Sequence, residues 1–142
     1  MNFKKKMEQY NNSYTFGTRI GVKVVDLKEG YAKAIMPINQ DSLNPHGTVH
    51  GGCIFTLADI VGGVAASSHG GKIVTVNSNL HYLNAGIDTK GMIAEARELK
   101  AGKRILTYEV CIMDQDNKVL ADGIFTYMNL GVNDGDELRL QV

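Results

Sequence analysis

The sequence is poor in the residues that staple, anchor or strongly charge a protein. Two cysteines occur in 142 residues, Cys53 in a helical pattern and Cys111 in a strand pattern, each among apolar neighbours. They offer neither a zinc spacing nor a disulfide framework, so reduced thiols in a cytoplasmic protein are expected. Neither sign of charge is in excess, 15 basic side chains standing against 15 acidic ones. That excludes the whole-molecule field of a nucleic-acid or anionic-membrane binder. No run is read as reaching the roughly 20 apolar residues that cross a bilayer. The basic start, Met1-Asn2-Phe3-Lys4-Lys5-Lys6, leads into polar residues instead of the apolar core of an export signal. Internal repeats and low-complexity segments are missing too. The expectation is a soluble single domain over residues 1–142, long enough to bury a core without disulfides or metals.

What is there concentrates in residues 43–68. Asn44-Pro45-His46-Gly47 is a turn cluster, in which Pro fixes one φ and Gly allows positive ones. From residue 52 to 66 the side chains are apolar or small, with no charged face to turn toward water. This predicts a buried helix about 22 Å long at 1.5 Å per residue. One acid interrupts it. Asp59 shares its stripe with Gly52, Phe55, Thr56, Gly62, Gly63 and Ala66, because residues three and four apart lie on one helix face.

An unpaired buried carboxylate is costly and normally finds partners or shifts its pKa. Gly51, Gly52, Gly62 and Gly63 cost about 1 kcal/mol each relative to alanine where they are helical, a cost that goes with close approach of a ligand or another subunit. Two readings stay open on these residues alone: a structural carboxylate with satisfied partners, or a catalytic one. The turn in front favours the second. Gly51 and Gly52 leave the first N–H groups of the helix bare, which suits them to hold an oxyanion or a polarised carbonyl.

The flanks supply strands. Residues 3–11 fit a short helix with Phe3, Met7 and Tyr10 on one side. Residues 19–27 and 31–38 read as a hairpin turning at Lys28-Glu29-Gly30, with Ala32, Ala34 and Met36 facing the helix and Pro37 near the second strand's end. Ser68-His69-Gly70-Gly71 ends the helix. Four strands follow at 72–83, 91–99, 104–113 and 119–129, separated by turns containing Asn84-Ala85-Gly86, Ala101-Gly102 and Asp114-Gln115-Asp116-Asn117. Linked mainly by hairpins, they predict an α+β fold: an antiparallel sheet of about six strands wrapped around one long central helix. Residues 131–142 read as a polar tail.

Asn44, His50-Gly51-Gly52 and Leu57-Ala58-Asp59, taken with their spacing, resemble the signature of hotdog-fold acyl-CoA thioesterases of the PaaI type. The likeness covers about residues 19–130 in order and length of elements. It implies that Asp59 is nucleophile or general base, that Gly51 N–H polarises the thioester carbonyl, and that Asn44 binds the carbonyl or the water. His50 would orient the turn. Thr75 falls where relatives carry a hydroxyl that positions the water, although an ordinary strand threonine fits the same place. Gly52 and Phe55 would contact substrate, with Phe55, Ile60, Val61 and Leu83 setting pocket width. From their place beside a hairpin turn, Lys100, Lys103 and Arg104 are expected either to form a solvated turn, the commoner case, or to meet the phosphates of coenzyme A. The resemblance further implies no cofactor beyond the coenzyme A of the substrate, and a homodimer assembled as a dimer of dimers, with each site shared between subunits.

Other chemistries are weaker. His46 and His50 sit four apart but in a non-helical turn without a third ligand, so no metal is expected. The serines lack a nucleophile elbow. An enoyl-CoA hydratase on the same fold would pair its aspartate with a histidine a few residues on, whereas here Val64 stands there and His69 lies farther along. A non-catalytic acyl-CoA sensor remains an alternative, without room before the first strand for a DNA-binding helix-turn-helix.

Overall fold

A computed structural model describes residues 1–131; the polar stretch read as a tail lies, from residue 132 on, outside the described residues. Two short helices, α1 (Phe3–Asn11) and α2 (Phe16–Arg19), precede strands β1 (Lys23–Lys28) and β2 (Tyr31–Pro37). The long helix α3 (Gly51–Ala66) follows, then β3 (Ile73–Tyr82), β4 (Gly91–Ala101), β5 (Ile105–Asp114) and β6 (Val119–Asn129). The strands form one antiparallel sheet in the order β1-β2-β4-β5-β6-β3. Helix α3 touches all six of them, so the α+β arrangement expected from the sequence is the one observed.

One strand boundary is corrected, and one link is the exception to the hairpins. The strand read from residue 19 begins at Lys23, because Thr15 and Thr18 cap each other's backbone N–H groups and wind α2 in front of it. Gly21, at φ 92°, then turns the chain into β1. The Asn84-Ala85-Gly86 segment is not a hairpin turn. Strand β3 lies at the edge beside β6, with β5 and β6 between it and β4, so this segment carries the chain across the end of the sheet.

The sheet closes on α3 because its inner face is small where the helix must come near. Ala32, Ala34, Ala94 and Ala96 have no exposure, and neither do Leu57, Ala58, Val61 and Ala65 on the helix face opposite. Each large side chain buried here contributes about 1.5–3 kcal/mol. The helix is not buried all round, however. Gly52 is exposed and Thr56, Asp59, Ile60 and Gly63 are half-buried, so the stripe that carries the acid forms an open face of the single chain. The far end of α3 is held by Lys6, whose Nζ donates to Ser67 O at 2.5 Å, a cation on the negative helix terminus.

The reading that no run is long enough to span a bilayer is also corrected. The helical stretch Gly51–His69 has 19 residues and a mean hydropathy of 1.4, sufficient by length and composition. Half of it is buried against the sheet, and its apolar character is that of a core helix rich in glycine and alanine.

Candidate active site

Helix α3 starts on a cap built from one residue. The His50 backbone is extended, and its Nδ1 accepts the Gly52 N–H at 2.8 Å, which leaves the ring proton on Nε2. The His50 carbonyl accepts from Cys53 N–H at 2.9 Å and Ile54 N–H at 3.2 Å. The remaining N–H of the first turn belongs to Gly51, which as the first helical residue has no acceptor along its own helix. Neighbouring segments fix the cap: His50 N–H donates to Ser42 O at 2.8 Å and Val49 N–H to Gly86 O at 3.0 Å. Tyr82 flanks it, its hydroxyl donating to Gly51 O at 2.8 Å.

Asn44 sits in the preceding loop with its amide committed to that loop. Its Oδ1 accepts from His46 N–H at 2.9 Å and Thr48 N–H at 3.2 Å, and its Nδ2 donates to Thr48 Oγ1 at 2.8 Å. The geometry therefore gives Asn44 a part in shaping the turn that carries His50.

Asp59 lies two turns on along α3. Thr75 Oγ1 donates to its Oδ1 at 2.7 Å, which brings the threonine hydroxyl onto the acid. Tyr127 donates its phenol O–H to the Asp59 backbone carbonyl at 2.9 Å. Burial first, and the Asp59 carboxylate second, hold this phenol well above its ordinary range, so it remains a donor. The acid is half-buried and not enclosed as the sequence implied.

A single irregularity in β3 brings both ends of the site together. Thr75 and Tyr82 are seven residues apart, and on a regular strand an odd separation puts side chains on opposite faces. A register shift between Thr75 and Asn77 restores the parity, so Thr75 reaches Asp59 and Tyr82 reaches Gly51. Bulges commonly re-aim side chains at sites in this way. Tyr82 and Tyr127 are the participants the sequence reading missed, since neither the bulge nor the β3–β6 pairing has a local sequence signal.

Two cavities flank the open face. One of about 570 Å³ includes Phe16, Met36, His50, Gly52, Cys53 and Thr56 in its wall. The other, about 440 Å³, includes Phe16, Asp59, Ile60, Gly63, Thr75 and Tyr127. The helix start and the acid thus open into different cavities. Burial raises the Cys53 thiol, which disfavours a nucleophilic thiolate in the first of them. Among the other candidates, Gly52 lines the first cavity. Phe55 turns inward onto Phe125, ring centroids 5.4 Å apart, and Val61 is wholly buried. Lys103 and Arg104 are exposed at the β4–β5 turn, away from both cavities. The close approach inferred at the helical glycines comes, at Gly62, from this chain itself: a Cβ there would overlap the Tyr127 hydroxyl.

An antiparallel six-stranded sheet closed round one long helix is the hotdog architecture. The thioesterase superfamily model matches residues 46–121, the stretch that holds both His50-Gly51-Gly52 and Asp59, and the chain belongs to that family. A protein of Archaeoglobus fulgidus is 32% identical over 112 residues, covering 79% of this chain and 72% of its own. The Escherichia coli acyl-coenzyme A thioesterase PaaI is 29% identical over 102 residues, 72% of this chain and 73% of its own. The solved structure of the E. coli PaaI protein superposes with a TM-score of 0.83 at 26% identity, covering 90% of this chain and 92% of that one. A Streptococcus mutans protein solved with acetyl-CoA bound superposes at 0.77 with 27% identity, over 84% of this chain and 94% of that one. The chain is thus a PaaI-type hotdog thioesterase, a member of a family of thioester hydrolases.

Proposed function

We propose that this protein hydrolyses acyl-CoA thioesters to a free acid and coenzyme A, with Asp59 as nucleophile or general base and Gly51 N–H holding the carbonyl oxygen. The observation that carries this reading is the Asp59 carboxylate, held by Thr75 at 2.7 Å on an open face of the helix that begins with an uncommitted glycine N–H. As a base, Asp59 takes a proton from water while the water oxygen bonds to the carbonyl carbon and the C–S bond breaks. As a nucleophile it forms a mixed anhydride that water then opens. A thiolate leaves without the protonation an amine needs, so a carboxylate and an oxyanion holder suffice.

Gly51 and Asp59 are eight residues apart on α3, about 12 Å along the axis at 1.5 Å per residue. That is too far for both to touch one carbonyl within a chain. The reading is therefore completed by a two-fold dimer in which the start of one α3 lies beside the middle of the other, the open stripe of Gly52, Thr56 and Gly63 permitting the approach. The acetyl-CoA bound to the S. mutans relative supports coenzyme A as the carrier.

The test is release of free thiol from a panel of acyl-CoAs, run beside thermal melts with coenzyme A. Turnover is expected, falling by roughly 10²–10⁴-fold in Asp59→Asn. A wild-type chain stabilised by coenzyme A but without turnover on any thioester would make it a binding module. Near-normal turnover in the folded Asp59→Asn chain would remove the acid from the chemistry.

A further inference from the structure

Gly62, in the middle of α3, is explained by one side chain of the sheet. Tyr127 stands on β6 directly opposite Thr75 on β3, and directly paired residues of antiparallel strands share a face. Both reach the same helical residue. Thr75 donates to the Asp59 carboxylate at 2.7 Å, Tyr127 to the Asp59 main-chain carbonyl at 2.9 Å. The ring of Tyr127 is 1% exposed and sits edge-on to Tyr108, centroids 6.2 Å apart, so the hydroxyl is carried on a fixed support. Its oxygen occupies the space a Cβ of Gly62 would need, and the ring edge lies 3.6 Å from where a Cβ of Gly63 would be. Glycine inside a helix costs about 1 kcal/mol relative to alanine. Here Gly62 admits the phenol to the main chain of the residue that carries the acid, while a Cβ on Gly63 would make only ordinary contact with the ring.

We infer that Tyr127 is a positioning residue for Asp59: its hydroxyl ties the main chain of α3 to the sheet at the catalytic turn, and with Thr75 it sets where the carboxylate stands. The inference rests on the proposed role of Asp59 and adds to it the element that holds the acid in place. A carboxylate borne on a helix fixed at both main chain and side chain loses less freedom in reaching the attacking geometry, and small displacements of a reacting group are costly in rate.

Tyr127→Phe tests it, since the ring still fills the core and only the O–H is lost. The expected result is a kcat lowered about tenfold or more, KM unchanged within a factor of two, and a cooperative melt. Combined with Asp59→Asn, the same change is expected to lower the residual rate little further, because the position of an absent acid no longer matters. A purely packing role would lower both backgrounds alike. A wild-type kcat in Tyr127→Phe, with Asp59→Asn strongly impaired, overturns the inference and leaves the proposed function standing; near-normal turnover in Asp59→Asn removes the role of the acid and the inference with it. Should Tyr127→Phe melt below the assay temperature, both chains are assayed at a lower temperature at which the melt of the variant shows it folded. The same loss in kcat at constant KM is expected, and an unchanged kcat overturns the inference.

Discussion

Thr75 carries the sharpest prediction at the residue scale. Among the described residues its hydroxyl bonds to the Asp59 carboxylate, and hydrogen bonds to charged groups contribute about 1.5–3 kcal/mol. The pair is exposed in the single chain, so the lower end of that range applies. Thr75→Val is expected to lower kcat by about tenfold at 1.36 kcal/mol per decade, whereas Thr75→Ser keeps most of the rate. Steady-state kinetics of the two variants decide it, and equal rates in both would leave the hydroxyl without a part. His50 and Asp59 are legible in the sequence because each is a local anomaly: a polar side chain ahead of glycines, and a lone acid among apolar residues. Tyr127 is not an anomaly there. An aromatic residue in a strand is ordinary, and only pairing with β3 brings it to the helix.

At the scale of the element, α3 is a helix whose two faces answer to different demands. Ile54, Leu57, Ala58, Val61 and Ala65 meet the sheet, while the glycine-rich side stays open. A Cβ on Gly51 would lie 3.4 Å from the Tyr82 ring, an ordinary contact. The first atom of a side chain is therefore accommodated in Gly51→Val, while its branch crowds the uncommitted N–H at the helix start. Turnover of the best thioester is expected to fall by at least about tenfold with helical circular dichroism unchanged. A folded Gly51→Val chain with wild-type turnover would take the oxyanion role from this N–H. The helix was readable because fifteen residues of one character leave no other assignment, but its burial was over-read. Gly52, Thr56 and Gly63, which look like core from composition, are left open, while Ala58, Gly62 and Ala65 are buried.

At the scale of the whole molecule, the prediction is complementation. Under the two-fold arrangement, Gly51→Val and Asp59→Asn chains are each nearly inactive alone. In a mixed dimer one site holds both lesions and the other holds none. Random pairing makes about half the dimers mixed, each with one intact site of two, so co-expression is expected to restore about a quarter of wild-type activity. Recovery no greater than the sum of the separate variants, with mixing verified by intact-mass measurement, would put the site within one chain. Gly51→Val is the better partner for this test than an Asn44 variant, because the Asn44 amide also holds the loop at Thr48.

The sequence by itself determined the element types, the antiparallel class of the sheet, and the acid and glycine turn at either end of the site. Those follow from periodicity, turn chemistry and the high cost of a buried charge, all of which act over a few residues. Tertiary structure decided the rest. The order β1-β2-β4-β5-β6-β3 puts β3 beside β6, the bulge after Thr75 sets which of its side chains face α3, and only their conjunction places Thr75 and Tyr127 on Asp59. A strand's pairing partner and register are settled by which distant faces bury together, and no stretch of chain holds that information alone.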